Sequence, residues 1–129
     1  MSGQRRSQFT YAILRVVPRI ERGERLNAGV VLYCQEREFL AARTFLDERR
    51  LAALADDLAP AAVRAHLDAL VRIAEGAADA GPVAALPPAQ RFGWLVSPSS
   101  TIVQPSEVHS GLCEEPAETL DELFAALVE

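Results

Sequence analysis

The chain has 129 residues, of which 50% are hydrophobic, 24% are charged and 6% are aromatic. That length predicts one domain, because a chain of this size buries about two-thirds of its unfolded surface without metals or disulfides. The net charge of −5 argues against a general nucleic-acid-binding protein, since such proteins are usually basic.

Three strands rich in β-branched and aromatic residues are predicted first, over residues 9–17, 27–35 and 38–45. In the second strand Ala28 and Val30 alternate with Val31 and Tyr33, so the pattern puts the first pair on one face and the second pair on the other. The first two strands are apolar on both faces. This predicts central strands that have either a cover on each side or an oligomer interface.

Three helices are predicted in the middle of the chain. Asp47 is a suitable N-cap for the first helix, Pro60 suits the first turn of the second, and Gly76 ends that helix. Residues 77–86 are predicted to be a linker of small residues. A pair of prolines then begins a short third helix over residues 87–95.

A short fourth strand at residues 101–104, a polar loop and a last helix complete the predicted order. Pro105 ends the strand and favours an edge position. For the last helix, Thr119 and Glu122 suit a capping box, whereas Pro116 indicates an earlier start. We therefore predict an α+β fold, with a small, mainly antiparallel sheet of about four strands packed with helices in the order βββ-ααα-β-α.

Residues 1–8 are polar and are predicted to be a flexible segment before a single domain over residues 9–129. They lack the apolar stretch of a signal peptide, and the longest uncharged stretch, residues 92–106, contains prolines that prevent it from spanning a bilayer. Two cysteines are too few for a disulfide framework or a four-ligand zinc site. We expect a cytoplasmic protein with reduced thiols that binds no cofactor, metal, membrane or nucleic acid.

The common catalytic signatures are missing from the sequence. It has no glycine-rich phosphate loop, no nucleophile elbow, no paired-histidine metal motif and no CxxC pair, which favours a non-enzymatic role. Cys34 lies on an apolar alternation face and is predicted to be an inert core thiol. Cys113 lies in the predicted polar loop and is the more reactive candidate, although no neighbouring base pattern supports a nucleophile.

Two histidines and one arginine are the titratable candidates. His109, in the polar loop, suits a general base or an anion ligand, or a ring that is hydrogen-bonded to the backbone. His66 lies beside the apolar stripe of its helix, which is typical of a boundary residue. Arg91 suits either a carboxylate clamp or an ion pair with Glu118 or Asp121 of the last helix.

Two polar segments, residues 27–29 and 97–101, suit either a structural role or a binding role. Asn27 suits a side chain that satisfies backbone groups where the loop ends, and Gly29 permits close packing or a bulge. The hydroxyl-rich residues 97–101 suit either a turn or a phosphate site.

All 13 basic residues are Arg. Two interpretations fit this bias: codon usage in a GC-rich genome, or a need for guanidinium groups at an anionic partner. Residues 1–50 carry a net charge of +4 and residues 51–129 a net charge of −9. Such a split is typical of an ordinary surface dipole, and it also suits a first half that faces anions.

Four ordered segments resemble a known family. They are Tyr-Ala-Ile-Leu-Arg-Val-Val-Pro at 11–18, Gly-Glu-Arg-Leu-Asn-Ala-Gly-Val-Val-Leu at 23–32, Arg-Phe-Gly-Trp-Leu at 91–95, and Gln104 followed by His-Ser-Gly-Leu at 109–112. Together they are similar to the bacterial domain-of-unknown-function family numbered 3037, over residues 9–128. This chain has Asn27-Ala28-Gly29 where the family often has Asn-Val-Gly, and His109-Ser110-Gly111 where it has His-Thr-Gly.

The resemblance implies no established activity. Family members are often encoded beside a HipA-like kinase-fold protein, which implies a partner or accessory role. The family pattern also indicates five polar residues of this chain as a binding site: Glu24, Asn27, Arg91, Gln104 and His109.

Two hypotheses follow from the residues and the resemblance. The first is a non-enzymatic interaction module, with a HipA-like kinase-fold protein as its partner and a homo-oligomer left open. The alternative is a small enzyme or an anionic-ligand-binding domain with a pocket formed by Asn27, Arg91, Gln104 and His109.

Overall fold

The computed structural model describes residues 5–99 and 101–129. Strands β1 to β3 come first, followed by helices α1 to α3, strands β4 and β5, and helix α4. Their bounds in this order are Ser7–Val16, Leu26–Cys34, Phe39–Thr44, Glu48–Leu54, Pro60–Glu75, Pro88–Leu95, Val103–Pro105, His109–Cys113 and Pro116–Leu127. Residues 1–4 of the segment predicted to be flexible, and Ser100 of the hydroxyl-rich cluster, lie outside the described residues.

The fold is α+β, as predicted, with an antiparallel sheet and four helices. The strands follow the order β3-β2-β1-β4, and β5 pairs with the first half of β1. The prediction of a loop around His109 is wrong, because His109 is the first residue of β5. The short polar sequence of β5 has little strand preference of its own, and it is extended because β1 supplies its hydrogen-bond partners.

Helices cover both faces of the sheet. Helices α1, α2 and α3 pack on one face, where the buried side chains include Leu14, Val16, Leu51, Leu67 and Phe92. Helix α4 packs on the other face, over Val30, Leu32 and Cys34, with Leu120 and Phe124. Both strands lie inside the sheet, as predicted, and β2 is covered on both faces, whereas the second face of β1 is covered only in part.

A β-bulge interrupts β2 at Ala28. Asn27 and Gly29 each have a partner residue in β1, whereas Ala28 has none. Because the extra residue reverses the alternation, Ala28 packs with Val31 on the side of α1 to α3, whereas Val30 faces α4. The prediction that Ala28 shares a face with Val30 is therefore wrong.

Gly29 provides the space that this bulge needs. A Cβ atom at Gly29 would lie 2.9 Å from the backbone oxygen of Arg43 and 2.9 Å from Cγ2 of Thr44, both on β3. Close packing and a bulge, the two roles considered for this glycine, are both present. The glycine allows β3 to stay paired with β2 next to the irregularity.

The helix ends follow local chemistry. The side chain of Asp47 accepts hydrogen bonds from two backbone N–H groups of the first turn of α1, as predicted for an N-cap. Gly76 ends α2 in the left-handed conformation, with φ of 70°. Helix α4 begins at Pro116, so the capping box of Thr119 and Glu122 is wrong and the earlier start is correct.

The start of β1 is tied to the turn between β2 and β3. Ser7, which is buried, donates its hydroxyl hydrogen to the carboxylate of Glu36 and accepts a hydrogen bond of 3.0 Å from Nε of Arg37. Strand β1 therefore includes the last two residues of the segment that was predicted to be flexible.

Candidate functional site

Helix α4 covers only part of its face of the sheet. It packs mainly across β2 and β3. The cluster under α4 also includes Phe9 of β1 and Cys113 of β5, and the rest of this face over β1, β4 and β5 has no second helix in the described part of the chain. We call this area the open face, and we define it by the side chains of Tyr11, Arg15, Asn27, Gln104 and His109.

Arg15 lies at the centre of a polar row. It is opposite Asn27 of β2 and opposite Gln104 of β4. Directly opposite residues of antiparallel strands share a face, with Cβ atoms about 4.5–5.5 Å apart. The next residue, Val16, packs in the core under α1 to α3, so Arg15 and its two neighbours lie on the open face.

The guanidinium group of Arg15 has no partner among the described residues. It forms no ion pair there, and its Nε is buried without a hydrogen-bond partner. Leaving a buried N–H group unpaired costs free energy. The Nη groups of Arg15 are not buried in this way, so they are the atoms that can bind a carboxylate or phosphate oxygen. Arg15 is not among the residues predicted from the sequence, although one signal was present: it is the only charged residue in the apolar stretch 9–17.

The two amides of the row also hold backbone segments. Nδ2 of Asn27 donates a hydrogen bond of 3.0 Å to the backbone oxygen of Leu127, at the end of α4. Nε2 of Gln104 donates one of 3.0 Å to the backbone oxygen of Thr101. Asn27 thus satisfies a backbone group, as expected, but that group lies 100 residues away along the chain.

His109 lies at the other end of the open face. Its ring lies against Tyr11 with a centroid distance of 5.3 Å, and its Nε2 is 3.6 Å from Oε1 of Glu107. Tyr11 precedes Arg15 by four residues, which corresponds to roughly 13 Å along a strand. The side chain of His109 is 43% exposed, so its ring is accessible from solvent.

Glu24 and Arg91 lie outside the open face. Glu24 is in the loop before β2, and its Oε1 is 2.8 Å from Nε of Arg22. Arg91 is on α3, across the sheet, where its Nη1 donates to the backbone oxygen of Leu86 at 2.7 Å and its Nη2 to that of Ala74 at 3.4 Å. Of the five predicted residues, the structure brings Asn27 and Gln104 to Arg15, and His109 to the same face.

Helix α4 is held by Arg43. Its Nη1 lies 2.5 Å from Oδ1 of Asp121, and its guanidinium carbon lies 4.4 Å from the centre of the Phe124 ring. Arg91 is bonded instead to the carbonyl groups of Ala74, in the last turn of α2, and of Leu86, just before α3. The interpretation that Arg91 pairs with Glu118 or Asp121 is therefore wrong.

A second bulge shapes the edge next to the open face. Ser106 is bonded to Ile13: its N–H donates to the backbone oxygen of Ile13, and its Oγ accepts from the N–H of Ile13, both at 2.8 Å. His109 is opposite Tyr11. Two residues of the edge, 107 and 108, therefore face the single residue 12 of β1. Bulges of this kind are common at sheet edges and next to functional sites.

The backbone of β5 is half unpaired. Ile13 directs its N–H and C=O groups toward this edge, and alternation makes the other odd-numbered residues of β1 do the same. Their partners in β5 are also odd-numbered. The backbone groups of Ser110 and Leu112 therefore point outward, where no strand of the described chain pairs with them.

The two thiols are both in the core. Cys34 is 0% exposed, which confirms the prediction, and Cys113 is 4% exposed. Burial raises the pKa of the Cys113 thiol, and the neighbouring Cys34 raises it further. The prediction that Cys113 is a reactive loop thiol is therefore wrong, because residue 113 is the buried end of β5.

The described residues, 5–99 and 101–129, contain neither a cluster of metal ligands nor a helix suited to a membrane. No three side chains of His, Cys, Asp or Glu come together there in a way that could hold a metal ion. None of the helices in that part of the chain has the length and apolar character needed to cross a membrane.

A family model described as a protein of unknown function, DUF3037, matches residues 11–128. This match confirms the resemblance seen in the four sequence segments, and it includes every residue of the open face. No curated protein and no solved structure gives a significant match to the chain.

Proposed function

The chain belongs to the DUF3037 family, and we propose that it is a non-enzymatic accessory module that binds an extended segment of a partner protein. The segment adds to β5 as a further strand and places an acidic side chain against Arg15. The observation that carries the proposal is the uncovered edge strand, whose Leu112 is 62% exposed.

The edge itself supports strand addition. Natural edge strands are often protected by a proline or by Lys and other charged side chains, and the five residues of β5 include no Pro, Lys, Arg, Asp or Glu. The outward backbone groups of Ser110 and Leu112 provide the main-chain hydrogen bonds that hold an added strand. The exposed Leu112, together with Val108 at 44% exposure, provides apolar contact beside them.

The charge of the open face selects the partner chemistry. Arg15 has no carboxylate partner among the described residues, and His109 adds a second positive charge when it is protonated. Both groups favour a segment with acidic side chains. The family resemblance adds a candidate partner, a HipA-like kinase-fold protein, because family members are often encoded beside one.

Co-expression with that kinase-fold protein, followed by size-exclusion chromatography, tests the proposal. We expect the two proteins to co-elute. Ser110→Pro removes an outward N–H group without touching the bonds to β1, so it should abolish co-elution, whereas the matched control Ser110→Ala should retain it. Arg15→Gln should weaken binding by about 2 kcal/mol, ~30-fold in Kd, because it removes a desolvated charge.

Three results would contradict the proposal. The first is a wild-type chain that never co-elutes with the kinase-fold protein, with or without nucleotide. The second is a Ser110→Pro variant that folds and binds as the wild type does. The third is a wild-type chain that elutes alone as a dimer which Ser110→Pro dissociates, since β5 would then pair with a second copy of this chain.

The polar row supports a second candidate function, the binding of a small anion. The unpaired Nη groups of Arg15, between two amides, suit a carboxylate or a phosphate, so Arg15 takes the place that was predicted for Arg91. Titration with citrate and with inorganic phosphate, followed by amide NMR shifts, separates the two functions. Binding of a small anion would be lost in Arg15→Gln and unaffected in Ser110→Pro.

A further inference from the structure

A cavity of about 440 Å³ lies on the side of the sheet opposite the open face, between α2, α3 and β4. Its walls are apolar and come from four elements: Leu14 of β1, Leu70 of α2, Leu95 of α3 and Val103 of β4. Small-molecule sites usually have volumes of about 300–1,000 Å³ and apolar walls with a few polar groups. The cavity has the size and the lining of such a site.

Trp94 lies where this cavity meets solvent. It is the only tryptophan of the chain, it lines the cavity, and it is 47% exposed. Its helix neighbours Phe92 and Leu95 are buried in the core, so the helix has apolar anchors without it. An exposed indole beside apolar walls is a surface on which a flat ring can stack.

The hydroxyl groups at the rim have no hydrogen left to donate. The Ser97 hydroxyl donates to the backbone oxygen of Gly93 at 2.7 Å, and the Thr101 hydroxyl donates to that of Val103 at 2.8 Å. The Ser99 and Thr101 hydroxyls are 2.8 Å apart, so Ser99 donates to Thr101. Since a hydroxyl has one hydrogen and two lone pairs, this rim offers acceptors to a ligand.

The absence of charged side chains in the described lining of the cavity argues against an anionic ligand. The described lining contains no Arg, Lys, Asp or Glu, and its single titratable side chain is His66. A phosphate or carboxylate would therefore enter an apolar cavity without a fixed opposite charge, which is unfavourable. A cation, in contrast, is attracted to the face of an indole.

We propose that this cavity binds a flat nitrogen heterocycle, uncharged or cationic, that carries N–H donors. The ring stacks on Trp94 and fills the apolar space, and its N–H groups donate to Ser97 and Thr101 at the rim. His66, interpreted from the sequence as a boundary residue, lines this site. The site is independent of the open face and of the partner proposed for it.

Fluorescence of the single tryptophan reports directly on this cavity. We expect adenine to produce a saturable change in Trp94 emission. Purine, which lacks the amino group, should bind about two- to tenfold more weakly, because it loses one hydrogen bond. Benzoate, an anionic ring of similar size, should produce no saturable change.

Two variants and a control locate the binding. Thr101→Val removes a rim hydroxyl and should weaken adenine binding about two- to tenfold. The control Thr10→Val makes the same substitution on β1, outside the cavity lining, and should leave binding unchanged. Trp94→Leu should abolish the saturation-transfer NMR signal of adenine while the amide spectrum stays folded.

The outcomes that overturn the proposal are equally specific. A wild-type chain with no saturable response to adenine has no such site. Benzoate binding as tightly as adenine contradicts the donor requirement. Adenine binding of wild-type strength in folded Trp94→Leu, or equal binding by Thr101→Val and Thr10→Val, places the ligand elsewhere.

Discussion

Arg15 and Arg91 show how the environment of a residue determines its role. Each has a buried Nε without a hydrogen-bond partner. The Nη groups of Arg91 are both bonded to backbone carbonyls, so this side chain braces the end of α2 against the segment before α3. Those of Arg15 form no hydrogen bond with another residue of the described chain. Arg15 is therefore the arginine that has binding capacity left for an anion.

The thiol of Cys113 should be inert in the native protein. The thiolate is the nucleophile, and burial both raises the pKa of Cys113 and blocks access to it. We expect an aromatic disulfide reagent to label it only at the rate of unfolding, measured by the absorbance of the released thiolate in the Cys34→Ala variant. The Cys34→Ala, Ser110→Cys variant has an exposed thiol and should react at once. Rapid labelling of native Cys113 would contradict the buried end of β5.

At the scale of elements, the helices follow their own sequence and the last strands follow their partner. Asp47 and Gly76 mark helix ends that local chemistry determines. Strand β5, in contrast, has no apolar alternation and is extended along β1 because its backbone finds hydrogen-bond partners there. The bulge at Ala28 likewise depends on β1, since pairing on both sides of it determines where the extra residue lies.

The bulge in β2 requires a residue without a side chain at position 29, and this requirement can be tested. Gly29→Ala should lower the free energy of unfolding by about 1–3 kcal/mol, because the new Cβ would overlap the backbone of β3. Gly93→Ala is the matched control: it lies inside α3 with no atom within 4 Å of the new Cβ, and it should raise stability by about 0.5–1 kcal/mol. Urea unfolding measures both values. Equal stability of Gly29→Ala and the wild type would mean that β3 can move away from β2.

At the scale of the whole molecule, hydrogen bonds between distant segments hold both halves of β1. The first residue of β1 is bonded to the turn after β2, and near its other end Ile13 is bonded to Ser106. Asn27 similarly attaches the end of α4 to the start of β2. These bonds join parts of the chain that are far apart in sequence. The bonds of Ser7 involve the charged side chains of Glu36 and Arg37, so stability at the start of β1 should depend on the charge of Glu36.

Acid should weaken the attachment of the first strand. The pKa of Glu36 lies below its usual value of 4.5. The hydrogen bond from the Ser7 hydroxyl is the largest cause, and the positive charge of Arg5 is the second. A folded-state pKa below the unfolded one means that the carboxylate contributes stability above about pH 4.5, and that this contribution is lost as pH falls through the folded value.

Unfolding of the wild type, Glu36→Gln and Ser7→Ala between about pH 6 and pH 3 measures this contribution. We expect the advantage of the wild type over Glu36→Gln to shrink as the pH falls. Ser7→Ala should reduce that pH dependence, since it removes the largest cause of the lowered pKa. An advantage that is constant over the whole range would show that Glu36 is not coupled to folding.

Much of the architecture was predictable from local pattern. The alternation in the first two strands indicated side chains buried on both faces, and the apolar repeats with Asp47, Pro60 and Gly76 located the first two helices. The α+β class and the antiparallel sheet followed from that order. The site was predicted in part: Asn27, Gln104 and His109 are on the open face, whereas Arg15 was missed and Arg91 lies across the sheet.

The sequence by itself determined the helices, the apolar faces and the need for two covering layers, because periodicity and capping act between residues a few positions apart. Only the tertiary structure decided that β5 is a strand, that Ala28 is a bulge and that Arg15 lies between Asn27 and Gln104. Those features depend on pairing between distant segments, such as Ile13 and Ser106, which are 93 residues apart. No local pattern specifies which distant strand a given strand will pair with. The residues of the open face come from strands that are brought together only by such pairing.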